Sequence, residues 1–190
     1  MAGRWRLVVL ASLFASSAEA LESLPRGIAT GTEAGVVFMR AGTGFPAGVG
    51  WRVRIGYQFA SGVTPEAVFW GASSGHVEGF NAGQTSLLYG VRCTAGLGRL
   101  RPWIAAHVGM ARVRWPNSRP APGALPANGT TTGAAFGAAG GLDVQLVGGL
   151  SLVASVGHTR TTVKVPALDG FSQFFPAAWT DLSAGLSLVF

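Results

Sequence analysis

The side chains of this chain that could do chemistry are charged rather than nucleophilic. Glu33, Arg52, Arg54, Glu66, Arg92, Asp143 and Asp181 stand singly among apolar and small residues. The chemistry open to such a set is ion pairing, because a charge taken out of water is tolerated only when it is paired. A nucleophilic or metal centre would need other parts. The chain has one cysteine, Cys93, and three histidines, with no GxSxG elbow, no HExxH motif and no paired-cysteine metal motif. G-T-G-F-P-A at 42–47 has the spacing of a dinucleotide fingerprint, but that fingerprint opens a helix and the residues that follow alternate as a strand. Gly133, Gly137 and Gly141 repeat GxxxG, as in membrane helix dimers. A helix there would carry Asp143 and Gln145 into hydrocarbon, whereas a strand turns both to one side. Asn128-Gly129-Thr130 is a glycosylation sequon by pattern alone. No metal or other cofactor is expected.

What positions the charges is a period of two. In GVGWRVRIGYQF, residues 48–59, Val49, Trp51, Val53, Ile55, Tyr57 and Phe59 alternate with Gly50, Arg52, Arg54, Gly56 and Gln58. A helix would mix the arginines among the apolar residues, so the segment is a strand with one oily and one polar face. The same alternation sets Leu87, Tyr89, Val91 and Cys93 against Ser86, Gly90, Arg92 and Thr94. It sets Ile104, Ala106, Val108 and Met110 against Ala105, His107 and Gly109, and Phe136, Ala138, Leu142 and Val144 against Gly137, Gly141 and Asp143. TEAGVVFMR (32–40) and TPEAVFWGAS (64–73) carry apolar residues on both faces and are strands by β-branched and aromatic content. The expected strands run over about 31–40, 48–59, 64–74, 84–96, 102–115, 132–146, 149–164 and 177–190. Short glycine-containing turns (ASGV, LGRLR, VG) alternate with longer connections, among them 116–131 and 166–177.

Composition says which face meets which solvent. Hydrophobic residues make up 48% and charged residues 12%, against about 25% charged in an ordinary soluble domain. Such a surface is too poor in charge to be wetted all round. No stretch offers the roughly 20 apolar residues of a spanning helix, which leaves a closed barrel as the structure able to live in a bilayer. The expectation is an all-β, eight-stranded antiparallel up-and-down transmembrane β-barrel over 21–190. Residues 1–20, with Arg4, Arg6, an apolar run from Leu7 and the triplet Ala18-Glu19-Ala20, read as a secretory signal peptide. The formal charge of +6 is spread without a basic run or an aromatic-basic motif, so nucleic acid is not an expected partner.

RPWIAAHVGMAR, TGAAFGAAGGLDVQLVGGLSLVASVGHTR and the terminal AGLSLVF resemble the OmpA-like, eight-stranded outer-membrane barrels. That resemblance implies a monomeric protein of the outer membrane of a Gram-negative-type bacterium, partnered by outer-membrane lipid and lipopolysaccharide. It also implies that Leu182, Ala184, Leu186, Leu188 and Phe190 are the terminal signal read by the barrel-assembly machinery. Some barrels of this kind deacylate lipid A with a histidine and a serine two residues later; His158 is followed at that distance by Arg160, so the nucleophile is missing. Strand direction puts Arg40, Arg112, Arg114, Arg160 and Lys164 at the lipopolysaccharide-facing rim, with Arg119 in a loop. The seven charges named first fall inside as a lumen network, Arg52, Arg54 and Asp181 toward the outer half and the rest toward the inner half. The expected function is non-enzymatic: structural, adhesive or an interaction platform carried by loops 116–131 and 166–176, with at most a narrow pore. The alternatives are a lipid A-modifying hydrolase and a soluble lipocalin-like barrel with its oily faces inside.

Overall fold

A computed structural model describes residues 24–40, 47–74, 83–114, 130–166 and 172–190. These form eight strands: β1 (Gly27–Arg40), β2 (Gly48–Gln58), β3 (Val63–Ser74), β4 (Gly83–Thr94), β5 (Leu100–Arg114), β6 (Thr130–Val147), β7 (Leu150–Pro166) and β8 (Ser172–Val189). Each pairs antiparallel with its neighbours in sequence, and β1 pairs with β8 from Ala29↔Val189 to Arg40↔Ala178, so the sheet closes on itself. The main chain of Ile28 and Phe190 exchanges two further hydrogen bonds, 2.9 and 3.1 Å, at the seam. Closure removes the two unpaired sheet edges that a bilayer would not tolerate.

At one end lie both described chain ends and the turns after β2, β4 and β6. Gly62, Gly98 and Gly148, one in each turn, have φ of 82°, 65° and 54°, the left-handed region where a Cβ is penalised. The other end carries the longer connections.

Alternation is read out as expected. Val49, Trp51, Val53 and Ile55 are exposed while Arg52 and Arg54 are buried. Leu152, Val156, Leu182 and Leu186 are likewise exposed, opposite buried Ser151, Ser155 and Asp181. An inventory of exposed apolar side chains on this scale is a surface made for hydrocarbon. Aromatic residues stand at both ends of that surface. Trp51 and Phe69 meet edge to face at 5.1 Å toward the loop end, and Tyr57 and Phe59 do so at 5.1 Å at the turn end.

Two expected boundaries are corrected. β1 starts at Gly27, not near 31, because residues 27–30 continue the ladder to β2 through Gly27↔Gln58. β8 starts at Ser172, not near 177, so most of the expected 166–176 loop is strand, paired through Val163↔Phe175 to Pro166↔Ser172. Pro176 hid this extension. Among the described residues β8 pairs with β1 up to Ala178, so the proline lies beyond that ladder, beside β7, where a missing N–H can be tolerated.

Candidate functional site

The site is the barrel interior, and the inward faces of the strands build it. An eight-stranded barrel is just wide enough for side chains to fill. Glu33, Arg52, Arg54, Glu66, Arg92, Asp143 and Asp181 all point inward and all are buried. Arg52 grips Asp181 with Nη2 at 3.0 Å from Oδ1 and 2.9 Å from Oδ2, and places Nη1 3.4 Å from Glu33 Oε2. Arg54 holds the other Glu33 oxygen, Nε to Oε1 at 3.0 Å, with Nη1 3.9 Å from Glu66 Oε2. The Arg54 Nε–H is not aimed at that oxygen, so the contact is an ion pair rather than a hydrogen bond. Ser155 and Ser183 donate to Glu33 Oε2, the second at 3.0 Å. Arg92 pairs with Asp143, whose other oxygen accepts from Trp103 Nε1 at 2.7 Å. The Arg92 guanidinium also lies 4.2 Å from the Trp103 ring centroid, with that of Arg54 at 5.5 Å, a cation–π arrangement favoured where water is excluded.

Glu33 pairs with both Arg52 and Arg54, so the expected outer and inner tiers are bridged, and the Arg92–Asp143 pair joins them through the Trp103 ring that both Arg54 and Arg92 face. Two members escaped the sequence reading. His107 Nε2 lies 2.8 Å from Glu66 Oε1. In register Glu66 and His107 flank Gly90, one on each side, and the absence of a side chain at Gly90 lets them meet across it; a Cβ there would strike the His107 ring. Arg101, assigned to a turn in LGRLR, is the second residue of β5, buried, and donates Nη2 to Gln145 Oε1 at 2.6 Å. With Arg101 the interior arginines Arg52, Arg54, Arg92 and Arg101 face the acids Glu33, Glu66, Asp143 and Asp181 in equal number.

The loop-end half of the interior is different. Val37, Val68, Trp70, Ala72, Leu88, Ala111, Ala135 and Trp179, drawn from six strands, form one buried apolar cluster. Trp70 and Trp179 meet edge to face at 6.0 Å.

On the outside, Arg112, Arg114 and Arg160 are exposed on outward positions toward the loop end. The side chains of Arg40 and Lys164 lie outside the described residues, as do Arg119, residues 1–20 and most of the GTGFPA stretch and loop 116–131. His158, also outward, shares a hydrogen bond of 3.0 Å between Nδ1 and Thr180 Oγ1. Among the described residues no carboxylate is hydrogen-bonded to that imidazole, and no group of three or more His, Cys, Asp or Glu could hold a metal. Leu182, Ala184 and Leu186 are exposed, Leu188 is half-buried, and Phe190 ends the series 66% exposed.

The chain matches no protein-family model and no curated protein sequence. Among solved structures it is similar to Neisserial surface protein A, at 13% identity and a TM-score of 0.67 over 86% of this chain and 97% of that one. It is also similar to the attachment invasion locus protein Ail of Yersinia pestis (13% identity, TM-score 0.49, 85% and 99% covered). The N-terminal β-barrel domain of Pseudomonas aeruginosa OprF gives 18% identity and a TM-score of 0.46, with 86% and 99% covered. At such identities the similarity concerns the fold, and it rests on the first of the three: an eight-stranded transmembrane barrel.

Proposed function

We propose that the chain is a non-enzymatic, OmpA-like barrel of the outer membrane of a Gram-negative-type bacterium, monomeric and closed to ions, whose loops serve a structural, adhesive or interaction role. One observation carries this reading. The barrel is turned inside out relative to a soluble one, with large apolar side chains such as Val49, Ile55, Val108 and Met110 exposed and the ion pairs buried within. A lipocalin-like barrel would need the opposite arrangement, since an exposed apolar surface of this extent in water drives aggregation. Side chains fill the described interior, paired charges toward the turn end and an apolar cluster toward the loop end, which supports a closed barrel rather than a pore. Arg112, Arg114 and Arg160 are exposed toward the loop end, and guanidinium forks suit the phosphates of outer-leaflet lipopolysaccharide. Hydrolysis of lipid is not favoured: His158 has a neighbouring hydroxyl in Thr180 but, among the described residues, no hydrogen-bonded carboxylate to orient it, and a threonine hydroxyl is a weak nucleophile without an activated base.

Cell fractionation tests the reading. The protein should pellet with outer membranes and migrate faster on gels unheated than heated, as a closed barrel does. Recovery as a soluble periplasmic protein would overturn it.

A further inference from the structure

The interior has two layers of opposite character, and only one of them is suited to stop an ion. The charged layer toward the turn end already offers ligands. It surrounds a cavity of about 20 Å³ lined by residues that include Arg54, Thr64, Glu66, Arg92 and Asp143, enough for roughly one water molecule. Among the described residues Arg54 Nη2, Arg92 Nε and Thr64 Oγ1 are buried donors without a protein hydrogen bond, groups that a water in that cavity would satisfy. An ion entering this layer could exchange its hydration for fixed charges and hydroxyls. The apolar layer above offers it no charged side chain among the described residues. Trp70 is 2% exposed, Trp179 0%, Val37 and Val68 1%, and the cluster draws on strands all around the barrel. Gln84, Ser86, Thr159 and Thr161 are buried beside it, and among the described residues Trp179 Nε1, Gln84 Oε1 and Thr161 Oγ1 have no hydrogen-bond partner, but these few neutral groups do not replace a hydration shell. Stripping an ion of water in such surroundings without replacement ligands is prohibitive, and apolar constrictions close pores by dewetting.

We propose that Val37, Val68, Trp70, Leu88 and Trp179 form the ion seal of this barrel, and that the ion-pair network beneath them holds the strands together without sealing the lumen. The inference rests on the closed membrane barrel proposed above and assigns its closure to particular residues. It separates two roles: substitutions in the network lower stability, and substitutions in the apolar layer open the lumen.

The test is conductance of the whole refolded barrel in planar bilayers, with the heat-dependent gel shift as a check on folding. Two layer variants are compared: Trp70→Ala with Trp179→Ala, which empties the layer, and Val68→Thr with Leu88→Asn, which nearly keeps its volume and makes it polar. Both should show steady conductance where the wild type shows none. The network variant Arg54→Gln with Glu66→Gln should stay closed and lose its gel shift at a lower temperature. If the network variant conducts while the folded layer variants stay closed, the seal has been misassigned although the barrel is closed. Steady conductance by the wild type would overturn the closed-barrel reading and the seal with it.

Discussion

Arg52→Ala should destabilise this barrel more than almost any other truncation of a single charged side chain. Arg52 makes a two-pronged pair with Asp181 at 2.9 and 3.0 Å, and weaker contacts of 3.4 Å with Glu33 and with Ser155. The side chains of Arg52, Asp181 and Glu33 are all at least nine-tenths buried. Removal of Arg52 leaves the two carboxylates in different positions. Glu33 keeps Arg54 at 3.0 Å and the hydroxyls of Ser155 and Ser183. Asp181 keeps, among the described side chains, only the Ser183 hydroxyl at 3.4 Å. The cost is therefore that of orphaning one buried carboxylate, about 3–5 kcal/mol. If the orphaned charge is the cause, Asp181→Asn in the same chain should return about 1–3 kcal/mol, a coupling of the size seen between directly interacting residues. Urea unfolding of the barrel in lipid vesicles, followed by tryptophan fluorescence, measures all four corners of that cycle. A loss below about 1 kcal/mol for Arg52→Ala, the value of a solvated pair, would refute the reasoning by showing that bulk water reaches Asp181.

Other expectations follow from particular positions. Deletion of Phe190 should reduce the amount of assembled barrel far more than Phe190→Tyr, measured as the gel-shifted fraction in cells; equal assembly would end its role as a terminal signal. Gly141→Val should cost about 1–3 kcal/mol by overpacking, because a Cβ at Gly141 would meet the Ala154 carbonyl oxygen and fall 2.6 Å from the Trp103 indole; unchanged unfolding would contradict that close approach. Lipopolysaccharide co-purified with Arg112→Ala, Arg114→Ala and Arg160→Ala combined should fall well below the wild-type amount, and an unchanged amount would count against the rim as a phosphate clamp.

Much of the barrel is legible in the sequence because each of its strands separates two unlike media, and parity alone then says which way Arg52 or Leu186 points. Parity does not say which inward residues meet. The pairing of His107 with Glu66 needs the register of three strands and the missing side chain at Gly90 between them. Arg101 was out of reach because LGRLR reads as a turn, whereas Leu100 opens β5. The apolar layer did leave a trace. TEAGVVFMR and TPEAVFWGAS alternate poorly because they are apolar on both faces, and that ambiguity is the contribution of Val37, Val68 and Trp70 to the core cluster. Two apolar faces on a barrel strand mean lipid on one side and a dry interior on the other. The extended β7–β8 pair was hidden by Pro176, which among the described residues lies beyond the β1–β8 ladder.

If the apolar faces meet lipid and the charges meet one another, single-tryptophan variants in vesicles containing brominated lipid will report it. Trp51 is 42% exposed on the outer face, whereas Trp70, Trp103 and Trp179 are 2%, 4% and 0% exposed inside. With the other tryptophans replaced by phenylalanine, fluorescence from Trp51 should be strongly quenched by the bromines, and fluorescence from Trp70, Trp103 or Trp179 should be nearly untouched. Strong quenching of Trp70 or Trp179 with Trp51 unaffected would contradict the account, because it would put the faces assigned to the lumen against lipid.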